Sequence, residues 1–168
     1  MNLFIHKMPF AKFRSSDQSL KSFNEIRVLM LISEPFVDTP PMGAPAIEFM
    51  IDTGCSHAII TKETLSKVGI SLSGPIGGLV DVELSDGSMT RKPTRDLTLW
   101  LCSNLPNFAN YPYRIDVNGG AAIFNHSYRN EWKEARPILG INCLVDAGIK
   151  MDIDFRLKYF SVWVPNLT

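Results

Sequence analysis

Asp52 stands in the stretch F-M-I-D-T-G-C-S-H-A-I-I, residues 49 to 60, with apolar residues on both sides of it. A carboxylate in such a run either caps a turn by accepting backbone N–H bonds or is held ready for proton transfer. Thr53 and Gly54 follow directly, and Cys55 and His57 add a thiol and an imidazole close behind. A Cys55 nucleophile with His57 as its base is disfavoured, because positions i and i+2 of a strand share a face but diverge and no third group orients the pair. A metal set drawn from Cys55, His57 and His126 or Cys143 has neither helical nor knuckle spacing. An Asp-Thr/Ser-Gly triplet arises by chance in roughly one chain of this length in ten to twenty. The surrounding elements therefore have to decide what Asp52 is for.

Those elements read as short strands punctuated by Gly, Pro, Asn and Asp. The spacing predicts strands over Ile26 to Ile32 and Ala46 to Ile51, separated by S-E-P-F-V-D-T-P-P-M-G-A-P, whose four prolines make it a loop. After the apolar run Ala58 to Ile60, Thr61 can cap a helix over Lys62 to Val68 that ends at Gly69. Leu79 to Leu84 alternates and runs into the turn Ser85-Asp86-Gly87-Ser88, with the return limb beginning near Met89. Leu97, Leu99 and Leu101, and then Tyr111, Tyr113, Ile115 and Val117, repeat every second residue as half-buried strands would, up to a turn at Asn118-Gly119-Gly120. Asn142 is the expected cap of a short helix through Ala147, and M-D-I-D-F followed by Y-F-S-V-W-V closes the chain as a hairpin.

Length and charge bound the rest. The 168 residues suit one domain with a real core. With 17 basic and 17 acidic side chains the net charge is zero, so the field that draws in nucleic acid or an acidic membrane is missing. Three cysteines without short repeated spacing argue against a disulfide scaffold or a CxxC zinc site. Without a signal-peptide core or an apolar run near ~20 residues, the chain reads as soluble and cytoplasmic, with no membrane partner. Residues 1 to 24 read as an N-terminal extension, flexible or processed, and 25 to 168 as the domain.

The ordered combination of I-D-T-G-C-S at 51 to 56, L-S-D-G-S at 84 to 88 and I-L-G-I-N-C-L-V-D-A-G at 138 to 148 resembles the retropepsin-like aspartic peptidases, the single-domain relatives of retroviral proteases. The resemblance spans roughly residues 26 to 164. It implies an all-β fold, a closed retropepsin-like barrel with one or two short helices and one half-site per chain. It also implies aspartic endopeptidase activity, with Asp52 as the catalytic carboxylate and Thr53, Gly54 and Cys55 supporting its loop. The Thr53 hydroxyl would bond across to a partner's loop, and Gly54 would point its N–H at the carboxylate. Ser85, Asp86, Gly87 and Ser88 would form a flap over a peptide bound as an extended strand, with the glycines of S-G-P-I-G-G, residues 73 to 78, as a rival tip. Ile138, Leu139 and Gly140 would pack beneath the loop.

No second Asp-Thr/Ser-Gly followed by an apolar strand occurs, so the resemblance implies a homodimer, with no cofactor and no metal. The family usually carries Ala or Ser where this chain has Cys55. His57 is open to two readings, a hydrogen-bonded structural residue or one that tunes the site. The loop 102 to 112 and the polar segment 125 to 136 exceed what a minimal member needs. A non-catalytic module for dimerisation or peptide binding is the alternative to the enzyme.

Overall fold

The computed structural model describes residues 2–9, 11–13, 23–71, 73, 77–83, 87–103, 113–117, 119–125 and 136–165. Among these the elements in chain order are β1 (Asn2–Pro9), β2 (Ala11–Phe13), β3 (Phe23–Glu25), β4 (Arg27–Ser33), β5 (Ile47–Asp52), β6 (Ile59–Thr61), α1 (Lys62–Lys67), β7 (Leu79–Glu83) and β8 (Met89–Arg95). They continue with β9 (Thr98–Leu101), β10 (Tyr113–Asp116), β11 (Ala121–Phe124), β12 (Ile138–Gly140), α2 (Ile141–Asp146), β13 (Lys150–Asp154) and β14 (Tyr159–Pro165). The chain is mostly β, as its punctuation implies.

Nine strands join in the order β10-β9-β4-β5-β12-β6-β11-β8-β7, while β1, β14 and β13 make a three-stranded sheet and β2 pairs with β3. The closed barrel expected from the resemblance does not form. Closure requires the two edge strands to pair at a fixed stagger, but β10 and β7 are the two ends of the ladder and do not meet. The three-stranded sheet covers the core instead. Phe160, Val162 and Val164 of β14 are buried in one cluster with Val28, Met30 and Ile32 of β4 and Leu99 and Leu101 of β9, and Met151 and Ile153 of β13 pack against it. Strand β1 runs antiparallel along β14, so pairing begins well before Ile26.

Several boundaries follow local chemistry. Thr61 caps α1 as expected, its hydroxyl accepting the Thr64 N–H at 3.1 Å. Helix α2 is different: Gly140 occupies the cap position with no side-chain bond, and Asn142 lies inside the helix. The expected Asn142 cap is not needed because carbonyls of the 53–58 loop take the first N–H groups, Ile141 to Cys55 at 2.8 Å and Asn142 to Ser56 at 3.3 Å. Strand β9 is buried at all four positions rather than on one face, because Leu99 and Leu101 enter the core and the other face carries Trp100, whose Nε1 donates to Ser33 Oγ at 2.9 Å. Strand β11 has no counterpart in the sequence reading: A-A-I-F is too short to show a period, yet it is buried throughout and runs parallel to β6.

Placement of the site depends on one feature of the strand order. Strand β12 lies between β5 and β6, so the residues connecting β5 to β6 must cross its end. Gly140 is the last residue of β12 and is in register with Asp52, the last residue of β5. Arg27, Glu25, Glu48 and Arg136 hold the other ends of these strands together: Arg27 reaches Glu25 at 2.7 Å, and Arg136 reaches Glu25 at 3.3 Å and Glu48 at 3.6 Å. The Nε of Arg27 donates to the same Glu25 oxygen at 2.8 Å. Leu139, 1% exposed, is the apolar underside of the crossing. Replacing it with Ala should cost about 2–5 kcal/mol of unfolding free energy, read from denaturant midpoints at unchanged slope.

Candidate functional site

The loop from Thr53 to Ala58 is built from its backbone outward. Asp52 ends β5 half-buried, and its Oδ1 accepts the Gly54 N–H at 2.9 Å. Its carbonyl accepts the Cys55 N–H at 3.1 Å, which closes the turn. A Cβ on Gly54 would lie 3.2 Å from that same Oδ1, so a side chain there would crowd the carboxylate. Thr53 and Gly54 are exposed, whereas Ala58, Ile59 and Ile60 beyond the loop are buried. The loop therefore presents its first residues outward and anchors its last ones.

Gly140 fixes the height of the loop above β12. A Cβ there would sit 2.4 Å from the His57 carbonyl oxygen and 2.7 Å from that of Cys55. No real Cβ approaches backbone that closely, and neither carbonyl can swing away, because the Cys55 one accepts the Ile141 N–H and the His57 one accepts the Cys55 thiol at 3.2 Å. Its backbone dihedrals are ordinary (φ −80°), so the requirement is for space and not for an unusual conformation. Gly140→Ala should lower stability by about 1–3 kcal/mol and shift the NMR signals of residues 53–58 ahead of those in β13 and β14.

The sulfur chemistry is quiet. Burial pushes the Cys55 thiol up, offset in part by the backbone at His57 and reinforced by the nearby Asp52, and the thiol donates to the His57 carbonyl at 3.2 Å. The thiol thus faces a carbonyl and not the imidazole. His57 Nδ1 pairs with Ser56 Oγ at 2.7 Å, so no Cys55–His57 couple exists. Burial lifts Cys143 further, from an ordinary 9.0 to about 11. The folded state then holds a proton that the unfolded state has lost, so stability should be intact below pH 9 and fall as pH rises toward 11. Unfolding titrations across that range should show a steeper decline in wild type than in Cys143→Ala, which keeps Cys55, Cys102 and Tyr113, also raised by burial.

The structure brings Asp52 and Cys55 against β12, with Ile138 opposite Met50, Leu139 opposite Ile51 and Gly140 opposite Asp52, while Thr53 and Gly54 between them are exposed. Gly87, with φ +80°, and Ser88 lie in the β7–β8 turn, while Ser85 and Asp86 fall outside the described residues, as do 74–76 of the rival tip. Gly77 and Gly78 of that rival segment lie along β8, exchanging backbone bonds with Thr94 at 2.7 and 2.9 Å. Most of the two long segments, 104–112 and 126–135, is likewise outside the described residues.

Sequence reading missed the neighbours on the loop's far side. Asn142, Cys143 and Asp146 of α2 and the Gly119-Gly120 turn meet Ser56 and His57 around a cleft of about 160 Å³. Gly120 could have signalled it: its φ is +78° and an added Cβ would strike Thr94 and Arg95 at 2.9–3.0 Å. Among the described residues no group of three or more His, Cys, Asp or Glu is placed to hold a metal, and no helix is long and apolar enough to cross a membrane. Comparison with protein-family models, with curated proteins and with solved structures found no match.

Proposed function

We propose that the chain is a retropepsin-like aspartic endopeptidase, with Asp52 as its catalytic carboxylate and a second copy supplying the other half of the site. The observation that carries this reading is the loop itself. Asp52 ends a core strand, is held by one N–H donor, and is followed by an outward-facing Thr53 on a loop fixed from below at Gly140. A purely structural cap has no need of that rigid, outward presentation.

The chemistry needs a base to take a proton from water and an acid to give one to the substrate. Two carboxyl groups a few ångströms apart cannot both ionise, so they share a proton; this is the established behaviour of aspartic proteases and is carried over to Asp52 and its copy. The ionised carboxylate takes the water proton as oxygen attacks the carbonyl carbon, and the protonated one gives its proton to the carbonyl oxygen. Collapse of the tetrahedral intermediate then breaks the C–N bond, with a proton delivered to the leaving nitrogen. Gly54 N–H, bonded to Oδ1, fixes the carboxylate plane. The turn at Gly87 and Ser88, with Ser85 and Asp86, is the segment assigned to close over an extended peptide. The three unpaired thiols support a reducing, cytoplasmic setting.

A non-catalytic peptide-binding or dimerisation module is the second reading, and the Gly54 bond favours it to this extent: it gives Asp52 a structural task as well. Peptide-library cleavage separates the two. Asp52→Asn should lose at least about a hundredfold in kcat/KM while keeping its fold, and wild-type activity per protomer should fall on dilution as dimers dissociate. Equal cleavage by both proteins, or an active monomer, would refute the enzyme reading. Thr53→Val should weaken association in sedimentation more than it alters the thermal midpoint.

A further inference from the structure

The cleft beside the loop is not used by the chemistry proposed for Asp52. It holds about 160 Å³, between Ser56 and His57 on one side, Asn142 and Asp146 of α2 on another and the Gly119-Gly120 turn on the third. Sites for whole small molecules usually begin near ~300 Å³, whereas a cavity of about 150 Å³ is enough for a benzene-sized group. One side chain fits; a cofactor does not.

The walls select its charge. Asp146 is the acid in the lining, and among the described residues no Lys or Arg lines the cleft. Asn142 and Asp146 are four residues apart on α2 and therefore share a face. Among the described residues neither side chain makes a hydrogen bond or ion pair, and both are exposed. Ser56 and His57 are already paired with each other at 2.7 Å, which fixes that wall. Gly119 and Gly120, with φ of +77° and +78°, bring backbone without side chains to this edge of the cleft. Ala58, Val117 and buried Cys143 provide an apolar floor against which a methylene stem can lie.

The geometry points to a binding site for one basic side chain, a guanidinium or ammonium group seated against Asp146 and Asn142 with its stem on the apolar floor. The source is a residue of a bound peptide, since Ser56 and His57 continue the loop that begins at Asp52. Only this last step rests on the peptidase reading.

The test avoids cleavage, so the two readings fail separately. Isotope-labelled full-length Asp52→Asn protein is titrated with Nα-acetyl-argininamide and, as control, Nα-acetyl-glutaminamide. Saturable shifts at the amides of Gly119, Gly120 and Asn142 are expected with the arginine probe only, and Asp146→Asn should weaken binding at least tenfold. Asn142→Ala, which leaves the carboxylate in place, should weaken it less and guards against misfolding of the first variant. Equal responses to the two probes, no saturable response, or full binding by Asp146→Asn would overturn the site. Dissociation of dimers by the arginine probe in sedimentation would mean that a second copy fills the cleft, and would overturn the peptide assignment.

Discussion

The molecule is organised around a backbone crossing. The segment after β5 passes over the end of β12 so closely that Gly140 has no room for a methyl group beneath the carbonyls of Cys55 and His57. This contact sets where Asp52 sits, because β5 and β12 are in register at Asp52 and Gly140. It also sets where α2 begins, since the same loop accepts the helix's first N–H groups. Strand, loop and helix thus share one set of hydrogen bonds, and a shift in any of them moves the other two.

Charged groups support the arrangement from the opposite ends of the strands. The Glu25 side chain is only 9% exposed yet has Arg27 and Arg136 beside it. Such a carboxylate is tolerable only while paired, because an isolated buried charge costs several kcal/mol. Elsewhere Arg95, almost buried, spans to both carboxylate oxygens of Glu34 at 2.8 Å and also donates to the Ser71 carbonyl, joining the end of β8 to the loops after β4 and α1. By contrast, the fork from Arg91 to Asp81 on the β7–β8 hairpin is fully exposed; it aligns the two strands and contributes little to stability.

Much of this was legible from residue order. Period-two alternation found the strands around residues 79–83 and 113–117, the apolar run at 26–32 stood out between polar neighbours, and Thr61 marked its helix by accepting the Thr64 N–H. What escaped reading depends on distance in the chain. Asn142 looks like a cap by type, but the carbonyls that replace it come from residues 55 and 56, which no local rule can bring there. Ala121 to Phe124 lacks a polar face because Ala121 and Ile123 enter one apolar cluster and Ala122 and Phe124 another, and an all-apolar run of four residues carries no period. The open sheet was hidden for the same reason: whether two edges meet depends on twist and length summed over nine strands.

Having β12 between β5 and β6 has a consequence for how the chain acquires its shape. Met50 and Ile138 pair in space but are separated by most of the domain, and loop closure of that span must precede any gain from the contact. During synthesis the first strands can pair locally, β4 with β5 and β7 with β8, while the slot between β5 and β6 stays open until the C-terminal segment emerges. The loop bearing Asp52 therefore gains the backbone it rests on, Gly140, only once β12 is in its slot.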